Sequence, residues 1–383
     1  MKKNFMKITF LLILLMTIIA TTVIYANTTR YATVIYSDNM GGFLDEQEEA
    51  YQHALDTYQT AGYGQILAFE PTEFTLRSNM LMNNILVIAS HGSPDAVTLD
   101  NTGLITGPAR YYDEVYHPSI NEFDWTQRKM VVLCACKTGG DGEPYDLSIT
   151  ARIADAGAGV SIGWYDTIFT FSTPNWLNNF HDALESGDDT LEAVTYAGEF
   201  TYGFPSVKKV YYCYNEIESI YDNSFYNTAV NNNIINLDRY SRESSDQNIE
   251  SLIKKYDKDF ERGNYERIET EGIYLRNVKT GETTKHTSYI DYYYSIGDYR
   301  INSGYTVVLD KNDSILKIVD NTKEFDYEEL ATKLINNIST SKKIDDENIL
   351  NKNYYYDIDT DKKYVEIEYL PELNKNKEVI EID

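Results

Sequence analysis

Ile85-Leu-Val-Ile-Ala-Ser-His-Gly92, Met130-Val-Val-Leu-Cys-Ala-Cys136 and Val160-Ser-Ile-Gly-Trp-Tyr-Asp166 are three short apolar runs, each ending in residues that can do chemistry. Runs of four or five apolar residues without polar alternation suit strands covered on both faces, as in a parallel sheet with helices on either side. Outward from them, Tyr31-Ala-Thr-Val-Ile-Tyr36 and Gln65-Ile-Leu-Ala-Phe69 read as two more strands. Glu46 to Thr60 reads as an amphipathic helix between those two, and Ile149 to Ala156 as a helix between the second and third runs. The expected fold class is therefore α/β with a mostly parallel sheet.

Ser172-Thr-Pro174 looks like a cap followed by proline at the first helical position, opening a helix through Trp176, Phe180 and Leu184 that Gly187 stops. A second helix follows from about Thr190 to Ala197. From Asn227 the chain turns rich in Asn and Ser, so 227–249 reads as a linker between a first domain over 27–226 and a smaller α+β domain over 250–383. That second part shows a helix-like Glu250 to Arg262 and strands Tyr305–Leu309 and Ile315–Val319 about the turn Lys311-Asn-Asp313. It also shows a helix from Tyr327 to Ile338 and a hairpin of Tyr354–Ile358 with Tyr364–Tyr369.

The first 26 residues carry Lys2, Lys3 and Lys7, then an apolar run from Ile8 to Ile24 ending at Ala26, the pattern of a secretory signal with cleavage before Asn27. The expected location is outside the cytoplasm, secreted or at the cell surface, with membrane attachment only if this segment stays uncleaved. The chain holds 383 residues, 42% apolar and 25% charged, which suits globular domains rather than disorder. Its net charge of −26 falls to −29 without the three leader lysines, so a nucleic-acid partner is not expected while a basic substrate is allowed. Three cysteines in such a length exclude a disulfide scaffold.

In an open α/β sheet, ligands bind beyond the carboxyl ends of the strands. His91 and Cys136 stand at two such ends, where an imidazole can take the proton of a thiol that is otherwise mostly protonated at neutral pH. Cys134, two residues earlier, points to the same side if the strand continues, and is the alternative nucleophile.

His91-Gly-Ser-Pro-Asp-Ala-Val-Thr-Leu-Asp100 and Ala135-Cys-Lys-Thr-Gly139, followed by Ala156-Gly-Ala158, Trp164 and Asp166, resemble the caspase-haemoglobinase (clan CD) cysteine peptidases. This group contains caspases, gingipains, clostripain and separase, and the wording is closest to the CHAT branch. The helix pair with Phe180, Leu184, Gly187 and Glu192-Ala193 also fits, so the resemblance spans about residues 31–200. The 45-residue spacing from His91 to Cys136 is near the roughly 50 of caspases. The resemblance implies a three-layer sandwich, Cys136 as nucleophile, His91 as general base and then acid, and backbone N–H groups of Gly92 and Cys136 as the oxyanion hole. It favours Cys136 over Cys134, and it implies Asp166, with Trp164 beside it, as substrate-binding residues that select Arg or Lys.

No cofactor or metal is expected. Cys134-x-Cys136 lacks further ligands, and Cys213 among Tyr211, Tyr212 and Tyr214 reads as core. His53, His117, His181 and His286 read as structural or solvated, and Tyr111-Tyr-Asp-Glu114 as a solvated loop. Asp357, Asp359, Asp361 and Glu368 fall at calcium-loop positions, but Lys362 replaces the turn glycine and a hairpin is the stronger reading. The last part resembles PepSY-type domains of exported bacterial proteins, in a helix followed by a hairpin ending Lys362-Lys-Tyr-Val-Glu-Ile-Glu-Tyr369, which implies a regulatory or inhibitory attachment. The expected function is a secreted cysteine endopeptidase acting on protein or peptide substrates; the alternative is a catalytically silent CHAT-like binding or scaffold protein of the cell envelope.

Overall fold

The computed structural model describes residues 30–37, 44–80, 83–112, 115–142, 146–168, 172–201, 204–215, 220, 234–235, 246–338, 349–369 and 377–382. The leader, its cleavage point and the pair Asp113-Glu114 lie outside the described residues, as does most of 227–249.

Strands β1 (Tyr31–Tyr36), β2 (Gly64–Phe69), β3 (Asn83–Ala89), β9 (Met130–Cys134) and β10 (Val160–Trp164) lie side by side in the order β2-β1-β3-β9-β10, all parallel. β11 (Val210–Tyr214) closes this part antiparallel to β10. Alternate residues of each strand face opposite helical layers. Ala32, Val34, Ile85, Val87, Val132 and Ile162 pack under α1 (Leu44–Thr60), α4 (Thr173–Glu185) and α5 (Thr190–Phe200). Ile35, Leu86, Ile88, Val131 and Leu133 pack against α2 (Glu73–Met80) and α3 (Ile149–Asp155). Burial on both faces explains why these strands read as continuous apolar runs.

Between β3 and β9 the chain forms β4 (His91–Ser93), β5 (Ala96–Leu99) and β6 (Thr102–Ile105), a small antiparallel sheet. A hairpin, β7 (Arg110–Tyr112) with β8 (Val115–His117), follows, so the Tyr111 region pairs where a loop was expected; Tyr111 itself is exposed. Ser148 caps α3, and Asp189 caps α5 in a reciprocal box with Glu192. Ser172 makes no side-chain cap bond to α4, and because the helix begins at Thr173 the proline takes its second position rather than its first.

The second half continues the same sheet. β11 pairs parallel with β13 (Tyr265–Asn277), which forms a long hairpin with β14 (Glu282–Ile296). Then come β15 (Tyr299–Asp310), β17 (Ile349–Asp357), β18 (Lys362–Tyr369) and β19 (Lys377–Ile382), giving 14 strands once β12 (Ile234–Ile235) and β16 (Ile315–Asp320) are included. Helix α6 (Asp246–Tyr256) begins inside the expected linker, ends six residues before Arg262 and packs on Ile290, Tyr292 and Val307. Helix α7 (Tyr327–Ile338) packs on Ile296, Ile301 and Tyr356. The two expected domains thus share one hydrogen-bonded sheet.

Their seam is also polar. The Lys208 ammonium, fully buried, lies 2.6 Å from the equally buried Asp291 carboxylate and 3.3 Å from the Thr306 hydroxyl. The buried Glu199 meets Lys317 at 2.6 Å, and Arg276 bridges from β13 to Asp155 at 2.7 Å.

Candidate active site

The register of the parallel sheet sets the site. β3 and β9 pair through Ala89 and Cys134, and the Ser90 N–H still reaches the Cys134 carbonyl at 3.2 Å. His91 and Cys136 each stand two residues beyond that last pair, His91 opening β4 and Cys136 in the turn after β9. Gly92 closes the gap. A Cβ there would sit 2.7 Å from both the Ala135 Cβ and the Cys136 carbonyl oxygen, and 2.9 Å from the Thr138 methyl. Only glycine lets the chain after His91 lie flat against the turn carrying Cys136.

That turn is tightly tied. Lys137 takes the left-handed conformation at φ +56, and its N–H donates to the Asp166 carbonyl at 3.0 Å. Thr138 donates its hydroxyl to the Ala135 carbonyl at 3.1 Å and accepts the Trp164 N–H at 3.3 Å. Gly139 donates to the Trp164 carbonyl at 2.7 Å, in a space where a Cβ would meet Tyr211 at 2.6 Å. The Thr-Gly that follows the cysteine is therefore the stitch between the ends of β9 and β10.

Cys136 is half-buried and its Sγ–H donates to the Ile168 carbonyl at 3.2 Å. Burial pushes this thiol up and the nearby Asp166 carboxylate adds to the rise; backbone hydrogen bonds at Ile168 and Cys136 and the Lys137 ammonium pull the other way. His91 is exposed at the start of β4, paired across to Thr98.

The remaining thiols are differently placed. Cys134 points into the core with Tyr51 and Tyr58, and Cys213 lies fully buried on β11; burial pushes both well up. Cys134 does not share the exposure of Cys136 because β9 ends at it and the chain turns there.

Trp164 and Asp166 separate in role. The Trp164 ring is fully buried, edge-on to Trp176 with centroids 4.8 Å apart, and its indole N–H donates to the Val207 carbonyl at 2.8 Å. Only its backbone reaches the site turn. The Asp166 carboxylate is largely buried, accepts from the Thr167 N–H at 2.7 Å and pairs with the Lys209 ammonium at 2.7 Å. Asp166 and Lys209 share the wall of a cavity of about 430 Å3 whose far side is built by Arg267, Glu269, Arg300 and Glu366 of the second half. Ile168 and Lys209 had no local signal in the sequence, being 32 and 43 residues from the groups they bind.

The other polar groupings resolve as follows. His181 is fully buried between the Tyr58 hydroxyl and the Leu177 carbonyl, each at 2.7 Å, and burial lowers it to about 3. His53 faces Asp182 at 3.4 Å and Glu185 at 3.9 Å, both half-exposed, and contacts Asn178 at 3.2 Å; among the described residues these three are the grouping of metal-type ligands. At the calcium-loop spacing the chain forms the hairpin that was the stronger reading. Asp357 pairs across the hairpin with Lys362, whereas Glu368 pairs with Asn351, six positions away and so roughly 20 Å along the strand. Asp359 and Asp361 instead hold Lys323 and Lys333. No helix among the described residues is long and apolar enough to cross a membrane.

No family model matches the chain, and no curated protein matches it either.

Proposed function

We propose that the chain is an exported cysteine endopeptidase of the caspase-like type, with Cys136 as nucleophile and His91 as its base. The observation that carries this reading is that β3 and β9 end side by side at Ala89 and Cys134, two residues before His91 and Cys136, with Gly92 packed on Ala135 and the Cys136 carbonyl. The helix–sheet–helix layering about the five parallel strands β2-β1-β3-β9-β10 supports the three-layer architecture the resemblance implies, although the whole sheet is mixed rather than mostly parallel.

The Cys136 sulfur attacks the scissile carbonyl carbon as its proton passes to the His91 imidazole. The carbonyl oxygen becomes an oxyanion beside the Gly92 and Cys136 N–H groups. Collapse breaks the C–N bond, and the imidazolium returns the proton to the departing amine, leaving a thioester on Cys136. Water, deprotonated by His91, then splits the thioester and restores the thiol. A substrate Arg or Lys side chain before the cut would meet Asp166.

The raised Cys136 thiol and its carbonyl partner favour a second reading, a silent binding or scaffold protein of the cell envelope. Peptide reporters ending in Arg, Lys, Asp or Leu, offered to the chain from Asn27 under reducing conditions, separate the two. Cleavage lost in Cys136→Ala supports the peptidase; no cleavage of any reporter supports the scaffold.

A further inference from the structure

Two packed helices of the first half set an imidazole opposite two carboxylates. His53 stands on α1, and Asp182 and Glu185 stand three residues apart on one face of α4. The His53 Nε2 lies 3.4 Å from an Asp182 oxygen and 3.9 Å from a Glu185 oxygen, and the three atoms fall within 4.8 Å of one another. The other ring nitrogen is already taken. Nδ1 lies 3.2 Å from the side-chain oxygen of Asn178, one turn back from Asp182 on α4. An amide oxygen only accepts, so Nδ1 carries the hydrogen and the neutral ring turns the Nε2 lone pair toward the two acids. Among the described residues neither acid pairs with a lysine or an arginine. The neighbouring His181, with ring centroids 6.2 Å apart, does not join them, because Tyr58 and Leu177 hold both of its nitrogens.

We propose that His53, Asp182 and Glu185 form a binding site for a zinc-type divalent metal ion that clamps α1 to α4. Zinc bonds of 2.0–2.2 Å in a tetrahedron put neighbouring ligand atoms about 3.4 Å apart. Asp182 already stands at that separation, and Glu185, at 3.9 Å, needs a shift of about half an ångström. A proton on Nε2 bonds to one carboxylate at a time, whereas a divalent ion accepts all three lone pairs and offsets both negative charges. An imidazole in the set favours zinc-like ions over calcium or magnesium, which take oxygen ligands. Asn178 then holds the ring from behind, as the partners of metal-bound histidines do. Both acids are about half exposed, so water completes the shell. The site uses neither His91 nor Cys136 and stands apart from the peptidase reading.

The test is calorimetric titration of the full chain with Zn2+, beside absorption spectra with Co2+ in its place. The chain carrying Cys136→Ala, in which the site thiol cannot contribute, should take up one equivalent in the micromolar range, and its cobalt spectrum should lack a thiolate-to-metal band. In that background His53→Gln should weaken binding at least tenfold, and Asn178→Ala, which removes no ligand, by about 10–100-fold. Circular dichroism checks that each variant folds; where His53→Gln does not, the half-exposed Asp182→Asn reads the same loss. Zn2+ should also raise the unfolding midpoint of the wild type but not of His53→Gln. Undiminished binding in His53→Gln overturns the proposal, as does binding that disappears with Cys136→Ala, which puts the metal at the thiol. Displacement of Zn2+ by an equal concentration of Ca2+ overturns it too, since that marks an acidic patch indifferent to the imidazole.

Discussion

Replacing Asp291 by alanine tests whether the two halves of the sheet are one cooperative body. Lys208 and Asp291 are both fully buried, 2.6 Å apart, and Thr306 donates its hydroxyl to the same Asp291 oxygen at 2.7 Å. Burial alone pushes the Lys208 ammonium down, and the Asp291 carboxylate is the chief group holding it up. Asp291→Ala leaves that ammonium with the Thr306 hydroxyl at 3.3 Å and the face of Tyr289, 5.1 Å from the ring centroid. Removing one partner of a buried ion pair costs about 3–5 kcal/mol. The assay is urea unfolding followed by tryptophan fluorescence. Trp125, Trp164 and Trp176 all lie before β11, so the probe watches the first half while the change is made in the second. The fluorescence midpoint should fall in step with far-UV circular dichroism, and Lys208→Met with Asp291→Leu should recover most of the loss, since an apolar replacement of a buried pair is often neutral or better. A fluorescence midpoint that does not move, or a cost below about 1 kcal/mol, would refute the account of the seam as a closed, load-sharing contact.

Gly92→Ala should lower stability by about 1–3 kcal/mol and change the iodoacetamide rate at Cys136, because the new methyl meets Ala135, Cys136 and Thr138 at under 3 Å; unchanged labelling would count against Gly92 packing on that turn. The Cys136 thiol is raised, so labelling of the resting chain should climb with pH beyond the ordinary thiol range near 8.5; a rate already at its plateau at pH 6 would reveal a preformed thiolate and contradict the geometry. His181 titrates near 3 when folded and near 6.5 when unfolded, so the unfolded chain takes up the proton first as pH falls. Its contribution is whole above 6.5 and shrinks by roughly 3 kcal/mol by pH 4, and His181→Gln should flatten that acid limb in urea titrations. Calcium should not raise the melting temperature, since Asp359 and Asp361 already hold lysines; a clear rise would restore the calcium reading.

The strands that carry the site were legible because they are buried on both faces. Ile85–Ala89 and Met130–Leu133 have no solvent side, so their apolar character shows without knowing the partner strands. Their termini were legible for the same reason, which is why His91 and Cys136 could be placed just beyond two adjacent strand ends. The hairpin of β13 and β14 was not. Tyr265-Glu-Arg-Ile-Glu-Thr-Glu places charge on its exposed positions Glu269 and Glu271, and its burial is only partial up to Glu269. The role of Trp164 was illegible in another way. A tryptophan after a strand reads equally as cleft wall or core, and the choice rests on Trp176 and Val207, which arrive 12 and 43 residues later.

A regulatory attachment that lifts off the cleft is hard to reconcile with how the site loop is held. The Trp164 indole rests on Val207, and the Tyr165 N–H rests on Lys209. The Tyr165 hydroxyl lies 2.8 Å from the Glu271 carbonyl and 3.0 Å from that of Gly272, both on β13. The same short turn, Pro205–Lys208, carries the ammonium gripped by Asp291. Taking the second half away would bare the ladder of β11 from Val210 to Tyr214, strand an unpaired lysine and release the loop that presents Asp166 and the Ile168 carbonyl to Cys136. Such a separation costs more than the exposure of apolar area alone, because backbone groups and a charge lose their partners together. The second half is therefore better understood as one wall of the cavity beside Asp166 than as a detachable cover.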